Sequence, residues 1–219
     1  MKMNLDEVEI RIIGCLIEKE LTTPENYPLS LNALTNACNQ KSNRAPLMNL
    51  EEADVVRGLA SLGSRGLARL TATGGRVAKY RHSLGDNLHL APPKLAVLAE
   101  LMLRGPQTAG ELRNRAERMV PLAGIAAVED ILGKLMGFAP PLVVRLPRRP
   151  GHKEERYAQL FAGEPQLPAD EPALSPEPAR QRVTDEDERL ARLDEEVSAL
   201  RAEINALRST IEEFRSLFE

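Results

Sequence analysis

Asn49-Leu-Glu-Glu-Ala-Asp-Val-Val-Arg-Gly-Leu-Ala-Ser-Leu-Gly63 is followed by Leu67-Ala-Arg-Leu-Thr-Ala72, the turn Thr73-Gly74-Gly75 and Arg76-Val-Ala-Lys-Tyr-Arg-His82. Val55, Leu59 and Leu62 share one helical face, so the first run predicts an amphipathic helix. Asn49 suits its N-cap and Glu52 the matching capping-box position, which sets the expected start near Leu50. Gly-Gly between two strand-like runs predicts a hairpin. The unit is a helix carrying a wing. Residues 65–82 hold Arg65, Arg69, Arg76, Lys79 and Arg81 and no acidic side chain, so the wing is expected to face phosphate.

Upstream, Leu5, Val8, Ile12, Cys15 and Leu16 form one apolar stripe, widened by Ile13 and Ile17, and predict an amphipathic helix over residues 5–21. Pro24 and Pro28 stop it and favour extended backbone. Ser30 can cap a short helix, Leu31 to Cys38, and the polar loop from Asn39 to Pro46 leads into the next one. Helix, extended segment, helix, loop, helix and hairpin is the order of a winged helix-turn-helix unit.

The same order returns downstream. Pro92-Pro93 suit the first turn of a helix that runs through Leu95, Leu98, Leu101 and Met102 to a stop at Gly105-Pro106. Thr108-Ala-Gly-Glu111 is a full capping box, and residues 125–137 predict the next helix. The strands Leu142–Leu146 and Glu154–Ala158 follow, around Pro147-Arg-Arg-Pro-Gly151. Val55, Leu59 and Leu62 match Val128, Leu132 and Leu135 at an offset of 73, and Tyr80 matches Tyr157 at 77. That register predicts an internal duplication with a slightly longer second wing.

From Gly163 to Arg180 the chain is rich in Pro, Ala and Glu and reads as a linker. Beyond Thr184 the apolar spacing alternates three and four. Leu190, Val197, Ile204, Ile211 and Phe218 take a positions, and Leu193, Leu200, Leu207 and Phe214 take d positions. β-branched a residues with Leu at d favour a parallel two-stranded coil, and the g-to-e pairs Arg189/Asp194, Glu196/Arg201 and Glu203/Arg208 are of opposite sign.

The expected fold is therefore mainly α with small β wings, an α+β class. It comprises two tandem winged helix-turn-helix domains (residues 1–91 and 92–162), a Pro/Ala/Glu-rich linker (163–183) and a C-terminal coiled-coil helix (184–219). Net charges of +1 over residues 1–91, +4 over 92–162 and −8 over 163–219 show that an acidic tail masks a weakly basic body. A nucleic-acid role must then rest on local clusters.

Cys15 and Cys38 stand without any CxxC spacing and are expected to be buried free thiols in a reducing compartment. The charged N-terminus and the absence of a long apolar run predict a cytoplasmic protein without membrane spans. No HExxH, P-loop or dinucleotide glycine pattern occurs, and Ser64 lacks the glycine setting of a nucleophile elbow. His82, His89 and His152 are scattered. No catalytic residue, metal ligand or cofactor is expected. Glu51, Glu52 and Asp54 fit compensation of a helix dipole. Seven aromatic residues, two of them in the heptads, leave no stacking platform for single strands.

Four strings resemble the YceH-like family of bacterial proteins. They are Cys38-Asn-Gln-Lys-Ser-Asn-Arg-Ala-Pro-Leu-Met-Asn-Leu50, Thr23-Pro-Glu-Asn-Tyr-Pro-Leu-Ser-Leu-Asn-Ala-Leu34, Leu101-Met-Leu-Arg-Gly-Pro-Gln-Thr108 and Arg145-Leu-Pro-Arg-Arg-Pro-Gly151. The resemblance spans residues 5 to about 163 and implies tandem winged-helix domains without implying an activity. The family pattern has Asp-Pro-Val where Ala45-Pro46-Leu47 stands here.

Two functions follow as expectations for a non-enzymatic homodimer paired through Leu190, Leu193, Val197, Leu200, Ile204, Leu207, Ile211 and Phe214. In the first, the protein binds double-stranded DNA, with Lys41, Asn43 and Arg44 in the loop, Arg69, Arg76, Lys79 and Arg81 on the first wing, and Arg145, Arg148, Arg149 and Lys153 on the second. In the second, the paired winged helices bind a protein partner. The acidic starts of both presumptive recognition helices, with Glu51, Glu52 and Asp54 in one and Glu129 and Asp130 in the other, oppose the first and favour the second.

Overall fold

Two helices buried on nearly every side organise the molecule. A computed structural model of the chain describes residues 4–71, 77–148 and 154–165. The turn at 73–75, Arg76, Arg149, Lys153, most of the linker and all heptad residues lie outside the described residues.

The first helix, α1 (Glu7–Thr22), starts at a capping box: Glu9 N donates to the Asp6 carboxylate and Asp6 N to the Glu9 carboxylate, both at 2.8 Å. Its periodicity predicts one apolar face, yet every residue from Glu9 to Glu18 is buried. The reason is a second partner: α5 (Pro92–Arg104), buried from Leu95 to Leu103, packs on it. Gly14 lets the two backbones approach, since a Cβ there would sit 3.0 Å from Leu103 Cγ and 3.2 Å from Met102 Cβ.

Around α1 the first half completes itself with short elements. Strand β1 (Leu29–Ser30) runs into α2 (Leu31–Cys38), which Ser30 caps by accepting from Ala33 N at 3.3 Å. Then come α3 (Glu52–Ser64), β2 (Ala68–Thr71), β3 (Lys79–His82) and the short α4 (Leu84–Leu88). The strands form one antiparallel sheet in the order β1-β3-β2, and Tyr80 faces Leu29 on one side and Leu70 on the other.

The second half repeats the order. After α5, whose first turn holds the paired prolines, Gly105 ends the helix at φ 73°, a left-handed conformation that glycine adopts without strain. Helix α6 (Ala109–Ala116) opens on the Thr108–Glu111 capping box, followed by α7 (Ile125–Met136), β4 (Val143–Leu146) and β5 (Arg156–Gln159). Tyr157 faces Arg145 on β4 and bridges to Gln107, so it occupies the place that Tyr80 holds between β2 and β1. The register match between the two tyrosines is therefore a match of position in the sheet.

The α+β class holds, with seven α-helices and two small antiparallel sheets among the described residues. The expected start of α3 does not. Its N-cap is Glu51, which forms a capping box with Asp54, because Leu50 is held outside the helix. The Asn39 side chain accepts from Leu50 N and donates to Leu50 O, both at 2.8 Å, and keeps that residue in an extended pairing.

No gap in packing follows residue 91. One apolar core runs from Leu5 to Phe161 and draws on both halves. Ala45 N donates to Leu103 O at 2.9 Å, and Leu5 N donates to Phe161 O at 2.7 Å, tying the start of α1 to the end of the second hairpin.

Glycine substitutions separate close approach from open space. Gly14→Val should cost about 1–3 kcal/mol through overpacking at the α1/α5 crossing. Gly133→Ala, which meets nothing within 4 Å inside α7, should instead gain about 0.5–1 kcal/mol. Denaturant midpoints check both, and equal effects at the two sites would contradict the close-approach assignment.

Candidate functional site

Among the buried side chains of α1, Arg11, Cys15 and Glu18 share one side at helical spacing. They face the end of α2 and the loop that follows it. Arg11 Nη1 donates to Cys38 O at 3.1 Å and Nη2 to Pro46 O at 2.6 Å.

Arg44 enters from the loop and closes the arrangement. Its Nη1 and Nη2 donate to the two Glu18 oxygens at 3.1 and 2.6 Å, a bidentate pair. The same guanidinium donates to Ala37 O, Gln40 Oε1 and Asn43 O. Its side chain is 0% exposed. Arg44, expected on the DNA-facing loop, is thus a structural residue, because phosphate has no path to a guanidinium spent on a buried carboxylate.

Asn43 is also taken up by the fold. It sits at φ 57° and its Oδ1 accepts from Arg104 Nη2 of α5. Lys41 alone of the three loop candidates is exposed.

The network continues across the two halves. Arg118 Nη2 lies 2.7 Å from Glu18 Oε1 and 2.7 Å from Glu100 Oε1, bridging carboxylates that both lie in the core. Burial pushes the Glu18 carboxyl up, but the Arg44 hydrogen bond and the charges of Arg44 and Arg118 outweigh it and leave the group below the ordinary glutamate value. Desolvation, with the charge of Arg115 beside it, lowers the Arg104 guanidinium.

A second cluster fastens the first hairpin to α1. Glu20 Oε2 lies 2.6 Å from His82 Nε2, Arg81 lies 3.6 Å from Glu20, and Tyr27 Oη accepts from His82 N at 2.9 Å. The His82 hydrogen bond is the main reason that the Glu20 carboxyl is held below its ordinary value. Burial raises the Tyr27 phenol.

Three of the remaining basic candidates, Arg69, Arg145 and Arg148, lie on the surface beside acids. Arg69 on β2 pairs with Asp86 at 3.2 Å. Arg145 and Arg148 share Glu155 at 3.1 and 3.5 Å. Lys79 on β3 is half-buried. Arg76, Arg149 and Lys153 lie outside the described residues. Residues 65–82 hold no acid, and the carboxylates that meet Arg81 and Arg69 come from outside that run, from Glu20 and Asp86.

The outward faces of α3 and α7 are apolar and acidic. On α3, Ala53, Val56 and Ala60 are exposed along one face with Glu51 and Glu52 at its start, and Val56 is 45% exposed. Arg57 on that face is paired with Asp54. On α7, Ile125 is 52% exposed and shares the surface with Ala126, Glu129 and the pair Asp130–Lys134. Leu70 on β2 adds a 60% exposed leucine.

Among the described residues no group of three or more His, Cys, Asp or Glu side chains is arranged to hold a metal ion, and no helix is long and apolar enough to cross a membrane.

Residues 5–152 match the family described as "Protein of unknown function, DUF480". The chain is 84% identical over 186 residues, 85% of each chain, to a UPF0502 protein of Geotalea uraniireducens (strain Rf4). It is 63% identical over 189 residues to a UPF0502 protein of Citrifermentans bemidjiense, covering 83% of this chain and 84% of that one. A UPF0502 protein of Geobacter sulfurreducens is 59% identical over 186 residues, 85% of each chain.

Two predictions test the charge network. Arg44→Met should cost about 3–5 kcal/mol by leaving Glu18 under-compensated, whereas Glu18→Leu/Arg44→Met should recover at least half of that loss. A double variant as unstable as the sum of its singles in urea unfolding would show that the pair is not the constraint. Because the folded values of Glu18 and Glu20 lie below the ordinary 4.5, both contribute stability in full above that value and lose it as pH falls from there through their lower folded values. Unfolding midpoints should decline as pH falls below about 4.5. A midpoint that rises below that pH would contradict the assignment.

Proposed function

We propose that this chain, which belongs to the DUF480 (UPF0502) family that its sequence strings resemble, is a non-enzymatic tandem winged-helix protein that binds a protein partner through the exposed faces of α3 and α7. The winged-helix reading is supported by the order helix, helix, helix and hairpin, given twice, with strand β1 before α2 and a single bridge at Gln107 before α6, which puts Tyr80 and Tyr157 in equivalent places. The heptads of residues 184–219 support a homodimer, formed through a parallel coil, which would present each face twice.

One observation carries the choice of partner. The helix that would enter a DNA groove in such a fold displays Glu51, Glu52, Val56 and Ala60, and its counterpart displays Ile125, Ala126 and Glu129. Carboxylates there are repelled by phosphate, while exposed apolar side chains gain from burial against protein. Arg44 and Asn43, which would have offset the acids, are consumed by the core network.

Duplex DNA remains the second reading. It is favoured by Lys41, Lys79, Arg69 and Arg81 lying on the loop and hairpin beside α3, with Arg76 in the same sequence run. A dimer making about eight phosphate contacts would lose affinity with a log–log salt slope near −7.

A cross-linking pull-down beside a genomic-DNA selection separates the two. The partner should survive nuclease treatment and be lost with Val56→Asp and Ile125→Asp, whereas Lys79→Glu should leave it in place. Duplex binding with a slope near −7, abolished by Lys79→Glu and indifferent to Val56→Asp, would overturn the proposal. Binding with a slope shallower than about −2 would dismiss the phosphate-contact mode.

A further inference from the structure

We infer that Arg104, Arg115 and Arg118 form a binding site for the phosphate group of a small ligand, at the C-terminal end of α5 where the two halves of the molecule meet. This is independent of what α3 and α7 bind. Three guanidiniums converge on one turn of helix. Arg104 is the last residue of α5, and its Nη2 donates to Asn43 Oδ1 in the loop after α2. Arg118, just beyond α6, places Nη2 2.7 Å from Glu100, one turn before Arg104. Arg115 Nη1 donates to Gln107 Oε1 at 2.7 Å, and the same amide donates to Glu100 O at 2.9 Å, so Arg115 is held against that turn as well.

Cations outnumber anions here. Glu18 and Glu100 meet Arg44, Arg104 and Arg118, while Glu111 meets Arg115 and Arg156. Five guanidiniums thus share three carboxylates. The C-terminal ends of α5 and α6 add about half a negative charge each, which still leaves the cluster about one negative charge short. The shortfall centres on Arg104. Its Nε lies 3.7 Å from Glu100 Oε2, and both atoms are buried without a hydrogen-bond partner among the described residues. Its hydrogen bond to Asn43 goes to a neutral amide. Burial lowers the Arg104 guanidinium, and the like charges of Arg115, Arg118 and Arg44 lower it further against the pull of Glu100. An added oxyanion would relieve that crowding.

Access and shape select the ligand. The side chains of Arg104, Arg115 and Arg118 are 23, 34 and 32% exposed, open enough to meet a solute and sheltered enough to limit screening by salt. Gly105 follows Arg104, and a Cβ there would meet nothing within 4 Å, so open space adjoins the guanidinium. Arg44, with a side chain 0% exposed, stays behind as a structural cation. A guanidinium fork matches the oxygens of a phosphate group, and three forks call for more acceptor oxygens than the two of a carboxylate. The same surroundings disfavour a nucleic-acid backbone. Glu111 and Glu117, on α6 and at its end, would repel the neighbouring phosphates of a duplex, whereas a single phosphate group avoids them.

Thermal unfolding of the full chain in inorganic phosphate, compared with chloride at the same ionic strength and pH, reads the site. The midpoint should rise saturably with phosphate, as binding to the folded state at one site requires. Arg104→Gln should abolish that increment and Arg115→Gln should weaken phosphate at least about tenfold, the loss of one charge-assisted hydrogen bond. Lys79→Gln, on the first hairpin, should leave the increment whole. General exclusion of phosphate from the protein surface would instead raise every variant alike and without saturation. Three outcomes overturn the inference: no saturable increment in the unmutated chain, an increment that Arg104→Gln retains, or one that Lys79→Gln removes. A short DNA duplex supplies the other source of phosphate. Duplex binding that depends on Arg104, with inorganic phosphate leaving the midpoint at its chloride value, would assign the cluster to nucleic acid and overturn the inference too. The unmutated chain decides the matter even if a variant misfolds.

Discussion

Arg118 places one nitrogen 2.7 Å from each of two core carboxylates, Glu18 of α1 and Glu100 of α5. Two like charges at the crossing of the central helices are tolerable only with cations between them. Arg118 supplies the shared cation, and Arg44 adds a bidentate one for Glu18. This requirement determines much of what surrounds it. The loop after α2 must bring Arg44 inward, Asn43 must turn to meet Arg104, and the backbone of the loop must pass close enough for Ala45 N to reach Leu103 O. Apolar burial supplies the bulk of the stability, as in any core. The charge network supplies the register in which α1 and α5 meet.

Local chemistry made most of the elements legible. Ser30, Thr108 and Gly105 mark helix ends because a cap or a left-handed stop needs only neighbours a few residues away. The match of Tyr80 with Tyr157 was visible for the same reason. What could not be read was anything set by distant partners. Asn49 looked like the cap of α3 on its own merits, but Asn39, eleven residues upstream, holds Leu50 outside the helix. Helix α1 looked amphipathic because its outer face carries few polar residues only in comparison with an exposed helix; the presence of α5 on that face is a tertiary fact.

The candidate site shows the same limit more sharply. A run of arginines without nearby acids was a sound cue for phosphate, yet Arg81 meets Glu20 and Arg69 meets Asp86 once the chain folds. One signal in the sequence was available for the buried network. Arg11 and Glu18 interrupt an otherwise apolar helix at the spacing that places them on one side, and charged residues in such a run are seldom buried without partners. Glu100 in the apolar run of α5 carries the same message. Reading those interruptions as a demand for buried cations would have drawn Arg44 away from the surface.

The hydrogen bond from Leu5 N to Phe161 O has a consequence for biosynthesis. A ribosome delivers α1 first and the second hairpin last, so the strip of Ile12, Ile13, Leu16 and Ile17 emerges well before α5 can cover it. The final tie at residue 5 must wait for residue 161. Such long-range closure gives the first half little chance to settle by itself during synthesis and slows the approach to the native state. Until then, the nascent chain exposes the apolar side of α1 that α5 covers in the folded protein.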